Sequence, residues 1–385
     1  LPLRMKILFL ASWFPSRVYP THGNFVAKHA RLVAKHHEVA VVNIQDDQNL
    51  RAGQFELEVG IVDGYLLVQV YFGQSPSMPQ WRKIYYRYQA YEKARKYILH
   101  DWKTVDFIHA HVLLDAGMIG RSWARKFGVP FVITEHSTAY HSPEALTGLR
   151  RILGKMACQE AAFILPVSEH LGRGMREING LAGNYRQVSN VVNTQLFRHV
   201  PPPDGNFIFL HVSNFVDEHK NITGLLAAFA EVTARTNKIV HLRLAGDGDL
   251  NELRQRIKAA GLSKWEVTVS GPHTEEEIAE EMQKCHAFVL PSNYENEPVV
   301  LLEAQASGRP CIATRTGGIP EIVADANCGE LVDVGDEAGL VAAMLMVVTN
   351  YDSYDQLRIR ERAVKRCSEE AVLENLEAVY KECLG

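Results

Sequence analysis

Short apolar runs alternate with amphipathic stretches along the chain. In the first half they are KILFLA, EVAVVNI, DFIHAHV, PFVITEH and AFILPVS; in the second, FIFLHVSN, VHLRLAGDG, EVTVSG, AFVLPS and PCIATRTGG. Each is of strand length, rich in Val, Ile or Phe, and ends in Gly, Ser, His or Asn before a helical pattern begins. That rhythm predicts parallel strands joined by crossover helices, an open α/β sheet. It occurs twice.

The repetition and the length of 385 residues both point to two domains, since one core rarely grows so large. Arg198–Asn206, with three prolines and a glycine, breaks any regular element and suits a linker. The expected division is therefore a Rossmann-like domain at 1–199, a linker at 200–206, and a second Rossmann-like domain at 207–366. A C-terminal helix at 367–385 would be able to pack back on the first domain; Val372, Leu376, Val379 and Tyr380 recur in it at helical spacing. Two doubly wound domains facing each other would form a central cleft from the loops at the C-terminal ends of their strands.

Composition narrows the classes. With 46% hydrophobic and 22% charged residues and a net charge of -4, the chain is an ordinary globular one, and without a Lys/Arg block it is not built for nucleic acid. The six cysteines form no C-x-x-C pair and read as reduced thiols of a cytoplasmic protein. The opening LPLRMKILFLASWFP superficially resembles a signal peptide, but Ile7–Ala11 is strand-length and Trp13-Phe14-Pro15 follows it. No stretch approaches the roughly 20 apolar residues that span a bilayer.

Trp81–His100 is basic, aromatic and helical in rhythm. Its aromatic stripe belongs in a core, or else the helix lies on an anionic membrane surface or faces a lipid-linked acceptor. His109 and His111 share one face of a strand, yet no partner at ligand spacing supports a metal, and none is expected. Gly246-Asp247-Gly248 is not a G-x-G-x-x-G fingerprint, so neither nicotinamide nor any other cofactor is indicated.

The densest chemical signal is PSNYENEPVVLLEAQASGRPCIATRTGGIPEIV, residues 291–323. A strand ends at Pro291, a polar loop carries Glu295, and Pro298 suits the first position of a helix that holds Glu303 about a turn and a half in. Eight helical residues rise roughly 12 Å, so the two carboxylates could reach opposite ends of an extended ligand. Between them a helix N-terminus would offer N–H groups and a positive dipole end to a diphosphate without a metal. Gly317 and Gly318 add a turn where backbone can approach a ligand. Taken alone, two glutamates eight apart are a loop charge and a helix surface charge. Lys220, where a strand ending at Ser213 meets a helix beginning near Asn221, supplies a point charge for phosphate. His136 follows an apolar strand and can donate a hydrogen bond to a sugar hydroxyl or a developing charge, although taken alone it reads as a structural histidine. Thr21–Phe25 forms a glycine loop around Gly23 after the first strand.

The region resembles the donor site of the family 4 glycosyltransferases, which have the GT-B fold. The family's Pro-Ser strand end, E-x7-E, Leu-Glu-Ala helix, Gly-x-Pro and Gly-Gly-x-x-Glu are matched by Pro291-Ser292, Glu295, Leu302-Glu303-Ala304, Gly308-Arg309-Pro310 and Gly317–Glu321. The resemblance covers nearly the whole chain. It implies that Glu303 accepts the ribose hydroxyls, that Glu295 holds hydroxyls of the transferred sugar, and that His136, Lys220 and Glu295 take part in the chemistry. Donor contacts carried over by it fall on Gly23, Asn214, Lys220, Gly271, Glu295, Asn296, Val299 and Glu303. Backbone at Ser270–His273 would meet the base. Asn214 stands where the family usually has arginine, and Glu297-Pro298 where it commonly has Phe-Gly.

The activity so implied is retaining transfer of a hexosyl-type sugar from a UDP- or GDP-sugar to a hydroxyl of a glycan or lipid-linked acceptor. TEHS and WFPS resemble members that build bacterial cell-surface polysaccharide or lipopolysaccharide, in the cytoplasm or peripherally on the inner face of the membrane. A nucleotide-sugar 2-epimerase of similar fold, or a non-catalytic nucleotide-sugar-binding subunit, are the alternatives.

Overall fold

The computed structural model describes residues 4–323 and 326–385; Leu1, Pro2 and Leu3 of the opening stretch, with Ala324 and Asp325, lie outside the described residues. The chain folds as two compact units, Leu1–Val188 with Leu373–Gly385, and Ser189–Val372. Residues 200–206, expected as the linker, thus fall within the second unit. Their neighbourhood is tied there by arginines. Arg360 donates to the carbonyls of Phe197 at 2.7 Å and Thr194 at 2.8 Å, and buried Arg309 donates to that of Val200.

Among the described residues the first unit holds β1 (Lys6–Ala11), β2 (Glu38–Asp46), β3 (Phe55–Val62), β4 (Tyr65–Phe72), β5 (Phe107–His111), β6 (Phe131–Glu135) and β7 (Phe163–Pro166). They form one sheet of order β3-β4-β2-β1-β5-β6-β7. Its helices are α1 (Asn24–Ala34), α2 (Gln80–Asp101), α3 (Met118–Phe127), α4 (Gly148–Glu160) and α5 (Glu169–Arg173). β1 pairs in parallel with β2 on one side and β5 on the other, Leu8 facing Ala40 and Ile108. Covered on both faces, it reads as an unbroken apolar run rather than an alternation.

β3 and β4 were not among the expected strands, and β3 runs antiparallel to β4. Asp63 and Gly64 join the two strands with φ of 47° and 86°, the two left-handed residues that a tight hairpin turn needs. In α2 the expected aromatic stripe divides. Ala90, Tyr91, Ala94 and Ile98 are buried, but Trp81, Ile84, Tyr85 and Tyr88 are exposed.

The second unit holds β8 (Phe207–Val212), β9 (Val240–Ala245), β10 (Val267–Ser270), β11 (Ala287–Leu290), β12 (Cys311–Thr314) and β13 (Gly329–Val332) among the described residues. All pair in parallel, in the order β10-β9-β8-β11-β12-β13. Its helices are α6 (Asp217–Lys220), α7 (Ile222–Arg235), α8 (Leu250–Ala259), α9 (Glu275–Lys284), α10 (Val299–Ala306), α11 (Ile319–Ile322), α12 (Glu337–Thr349) and α13 (Gln356–Cys367). The final helix, α14 (Glu369–Leu384), brings Tyr380 into the first unit, its hydroxyl 2.7 Å from Nδ1 of His109. The six cysteines are free thiols. Among the described residues no helix is long and apolar enough to cross a membrane.

Both sheets reverse their winding at one point, between β1 and β5 in the first unit and between β8 and β11 in the second. Loops leaving neighbouring strands in opposite directions open a crevice there, the usual ligand position in such sheets. Gly23 follows β1, Asn214 and Lys220 follow β8, and Glu295 and Asn296 follow β11, whereas His136 follows β6 and Gly271 follows β10.

Candidate functional site

In the second unit the loops after β8 and β11 meet across the switch point. Lys220 Nζ lies 2.6 Å from Oε1 of Glu295, a contact joining residues 75 apart in sequence. The loops are also sewn together by backbone. Asn293 donates its N–H to the carbonyl of His219 at 2.8 Å, and its side chain donates to that of Glu218 at 2.9 Å. Lys220 ends the single turn of α6. Asn221 follows in the left-handed region at φ 50°, and its side chain accepts from the N–H of Gly224 at 3.2 Å to start α7. Beneath them His211 is hydrogen-bonded to the carbonyl of Val289 and to Ser213 Oγ, both at 2.8 Å, and burial pushes its pKa down to about 4. With the ring neutral, Nδ1 donates to the carbonyl and Nε2 accepts from the hydroxyl.

Gly317 and Gly318 shape the other wall. A side chain on Gly317, at φ 54°, would place Cβ 1.7 Å from the carbonyl oxygen of Glu295, so only glycine fits. Gly318 donates to the carbonyl of Asn296 at 2.7 Å. Glu295 and Asn296 are both buried. Pro298 stands one place earlier than expected: it is extended, at ψ 116°, and precedes the helix, which begins at half-buried Val299. No side chain caps α10 among the described residues, which leaves its first turn suited to an anionic ligand. Glu303 lies inside α10 and is buried, not a surface charge.

Two assigned residues stand apart. Asn214 is exposed and accepts from its own Val216 N–H at 3.3 Å. Gly271 follows edge strand β10, two strands from β8; it has a negative φ and room for a Cβ, which would meet Leu250 at 3.7 Å, so nothing there demands glycine. Gly246 and Gly248, by contrast, are needed for packing. A Cβ on either would strike the carbonyls of Ser213 or Asn214, at 1.7 and 2.4 Å.

Sequence reasoning missed what braces this loop. Glu297 is fully buried. Its carboxylate accepts from Ser189 Oγ at 2.9 Å, the Asn190 N–H at 2.6 Å and the Arg366 guanidinium at 2.8 Å. Arg366 also donates to the carbonyl of Glu321 at 2.9 Å, so one guanidinium holds both the Glu295–Pro298 loop and the end of the Gly-Gly turn. Burial pushes the Glu297 carboxyl up, while Arg366 and the Asn190 N–H pull it down.

In the first unit Gly23 starts α1 at φ 76°, and a Cβ there would lie 2.5 Å from the Trp13 carbonyl. The helix it starts carries Phe25, whose ring packs 4.4 Å from that of His136. His136 stacks on His111, with His111 Nδ1 3.3 Å from His136 Nε2. Burial holds both rings well below the ordinary histidine pKa, the neutral state in which one ring can donate and the other accept. His109 and His111, on one face of β5, divide: His109 bonds Tyr380 and Thr134, and His111 touches the candidate. Among the described residues no group of three or more His, Cys, Asp or Glu is arranged to hold a metal ion.

Glu135 organises this end of the sheet, and it too was missed, although a carboxylate closing an apolar strand is a readable signal. One oxygen accepts from the N–H groups of His136 and Ser137, both at 2.8 Å, and the other from that of Leu113 at 2.8 Å. Burial raises its pKa to about 7 against those hydrogen bonds. Next to Leu113, β-branched Val112 is held at φ 75°, a strained conformation that persists only where its surroundings impose it.

Residues 24–196 match the family model described as Glycosyltransferase Family 4, and residues 192–365 match Glycosyl transferases group 1. An uncharacterized glycosyltransferase of Methanocaldococcus jannaschii is 27% identical over 311 residues, 80% of this chain and 83% of that protein. Among solved structures, sucrose-phosphate synthase from Thermosynechococcus elongatus superposes with a TM-score of 0.77 at 21% identity, covering 98% of this chain and 99% of that one. Anabaena HepE, solved in complex with UDP, superposes at 0.74 with 18% identity, covering 98% and 100%.

Proposed function

Because this chain belongs to glycosyltransferase family 4 and has the GT-B fold, we propose that it transfers a hexosyl-type sugar, with retention, from a UDP- or GDP-sugar to a hydroxyl of a glycan or lipid-linked acceptor. The observation that carries this reading is the Lys220 to Glu295 contact of 2.6 Å at the switch point of the second sheet, beside the uncapped first turn of α10. Cation, carboxylate and helix N-terminus together match a sugar diphosphate. The complex of Anabaena HepE with UDP supports a nucleotide donor.

In the proposed reaction the bond from the sugar's C1 to the diphosphate oxygen lengthens and breaks, and Lys220 and the α10 N-terminus take up the charge on the departing diphosphate. The acceptor oxygen bonds to C1 on the same face, and its proton passes to the departing phosphate. Glu295 holds hydroxyls of the sugar, Glu303 those of the ribose, and His136, in the first unit, a hydroxyl or the developing charge. Gly23 and Asn296 offer backbone, Val299 offers its N–H in the first turn of α10, and Gly271 lies near the base. The chemistry so described needs no divalent metal. Bacterial cell-surface polysaccharide or lipopolysaccharide synthesis is the proposed setting, at the cytoplasmic face of the membrane, with the exposed face of α2 as a peripheral contact.

The test is product analysis with UDP- and GDP-sugars, with and without acceptor glycans and with a chelator present. Transfer that survives the chelator and keeps the donor's anomeric configuration is expected. Strict metal dependence would overturn the lysine-and-dipole account. A new sugar nucleotide formed without acceptor would identify an epimerase, and donor binding with no turnover a binding subunit.

A further inference from the structure

β3 closes one edge of the first sheet, and among the described residues only β4 pairs with it. Its sequence, FELEVGIV, contains neither proline nor lysine, and it runs beside β4 without a bulge. Natural sheet edges are usually guarded by one of those devices. Residues 57–62 are all exposed. Leu57, Val59 and Ile61, at 45%, 40% and 74% exposure, share one face of the strand.

The backbone of the same three residues points outward. Gly73 donates to the carbonyl of Gln54 at 2.9 Å, one step beyond the Phe55–Phe72 pair, and hydrogen-bonded pairs alternate from there along an antiparallel ladder. Glu56, Glu58, Gly60 and Val62 therefore bond β4, in agreement with the two-residue turn at Asp63-Gly64. Leu57, Val59 and Ile61 turn their N–H and C=O groups away from the sheet, and no hydrogen bond reaches those groups among the described residues.

We propose that β3 pairs antiparallel with β3 of a second copy of this chain, about a twofold axis at Val59, so that two sheets join edge to edge. In that register Val59 meets the partner's Val59 and Leu57 meets the partner's Ile61. Every outward group is used, giving about six hydrogen bonds between the chains. The charges suit this register too. Glu58 falls opposite the partner's Gly60 and Glu56 opposite the partner's Val62, so no carboxylate faces another. A shift of two residues one way would set Glu58 against the partner's Glu58, and a shift the other way would leave Leu57 opposite the turn. Within each chain Arg17 already neutralises Glu58 at 2.6 Å and Glu56 at 2.7 Å, which removes the repulsion that would hold two such edges apart. Gly60 finds its reason here as well. A Cβ on it would meet nothing within 4 Å, and glycine weakens a strand, so the chain's own packing does not require it. Opposite the partner's Glu58 it leaves room for that side chain. A foreign peptide strand would find the hydrogen bonds but not the matched side chains.

The experiment is sedimentation velocity of the full chain over a range of concentrations. The strip of contact is small, so a weak, concentration-dependent dimer is expected. Val59→Lys sets two lysines against each other at the axis and should leave only monomer. Gly60→Lys, facing the partner's Glu58, should tighten the dimer about five-fold, and Gly60→Glu should loosen it about five-fold, because a twofold makes each cross-chain contact twice. All three substitutions fall at exposed positions, and melting temperatures in dilute solution, where every chain is monomeric, check the fold. β3 lies three strands from β1, so sugar transfer should be the same in parent and variants. A chain that stays monomeric at millimolar concentration, a dimer that survives Val59→Lys, or Gly60 variants that shift the dimer in the same direction would each overturn the proposal.

Discussion

Glu295 and Glu303 differ in what surrounds them, and that decides what each can do. Glu295 meets Lys220, so a bound donor must share both partners of an existing ion pair, whereas Glu303 is set within α10 behind the turn proposed to hold the diphosphate. Glu303→Ala should therefore raise the donor KM about ten-fold or more with a smaller effect on kcat, the loss expected for a charged hydrogen bond. His136, at the edge of the other sheet, touches the donor's nucleotide in neither proposed role, so His136→Ala should lower kcat about a hundred-fold with near-normal donor affinity. Steady-state kinetics giving the reverse division would remove these roles. Both residues were legible in the sequence as candidates, through the resemblance to the family rather than through spacing or a place after a strand alone. Their partners were not. Lys220 and Glu295 are 75 positions apart, and no local pattern announces that a cation on one loop will close on a carboxylate of another.

Among elements, the loop between β11 and α10 depends on α13. Arg366 at the end of that helix is the cation beside the buried Glu297 carboxylate, and it also holds the carbonyl of Glu321. Arg366→Ala would leave a carboxylate buried without its cation, a change that costs about 3 kcal/mol or more. The second unit should melt earlier, and the donor KM should rise because Glu295 and Asn296 lose their support. Restoration of both by Arg366→Lys would not follow, since one ammonium cannot span Glu297 and Glu321 as a guanidinium does; full rescue by lysine would count against the brace. The strands flanking the site were readable because burial on both faces writes them as apolar runs. The β3–β4 hairpin was not read, although Asp63-Gly64 marks its turn, because β3 is an exposed edge strand whose mixed FELEVGIV lacks the clean signal of a buried one. Glu297-Pro298 looked like a departure within the donor motif. Only the fold shows that the glutamate turns to Ser189, Asn190 and Arg366 and fastens the loop.

For the whole molecule, acid is the condition that tests how the buried histidines are held. His109, His111 and His136 in the first unit sit well below their ordinary value through burial, and His211 and His286 in the second fall to about 4. A histidine whose folded pKa is depressed stays neutral in the fold while the unfolded chain gains a proton below about 6.5. Its contribution is therefore complete above that value and is lost as the pH falls. At pH 5 a group lowered to 4 has given up about 2 kcal/mol relative to pH 7. Glu135 acts in the opposite sense. Its folded pKa of about 7 lies above the unfolded one, so it contributes most below the unfolded value and loses that contribution as the pH rises through 7; between pH 7 and 5 it returns about 2 kcal/mol. Glu297, also pushed up by burial, acts in the same sense, but two such carboxyls cannot offset five histidines. Net stability should fall by several kcal/mol from pH 7 to pH 5, a large share of the roughly 5–15 kcal/mol that holds a typical domain folded. Calorimetry across this range should show Tm highest near pH 7 or above and declining steadily toward pH 5, and a Tm at pH 5 equal to or above that at pH 7 would mean that the histidines take up protons in the folded state.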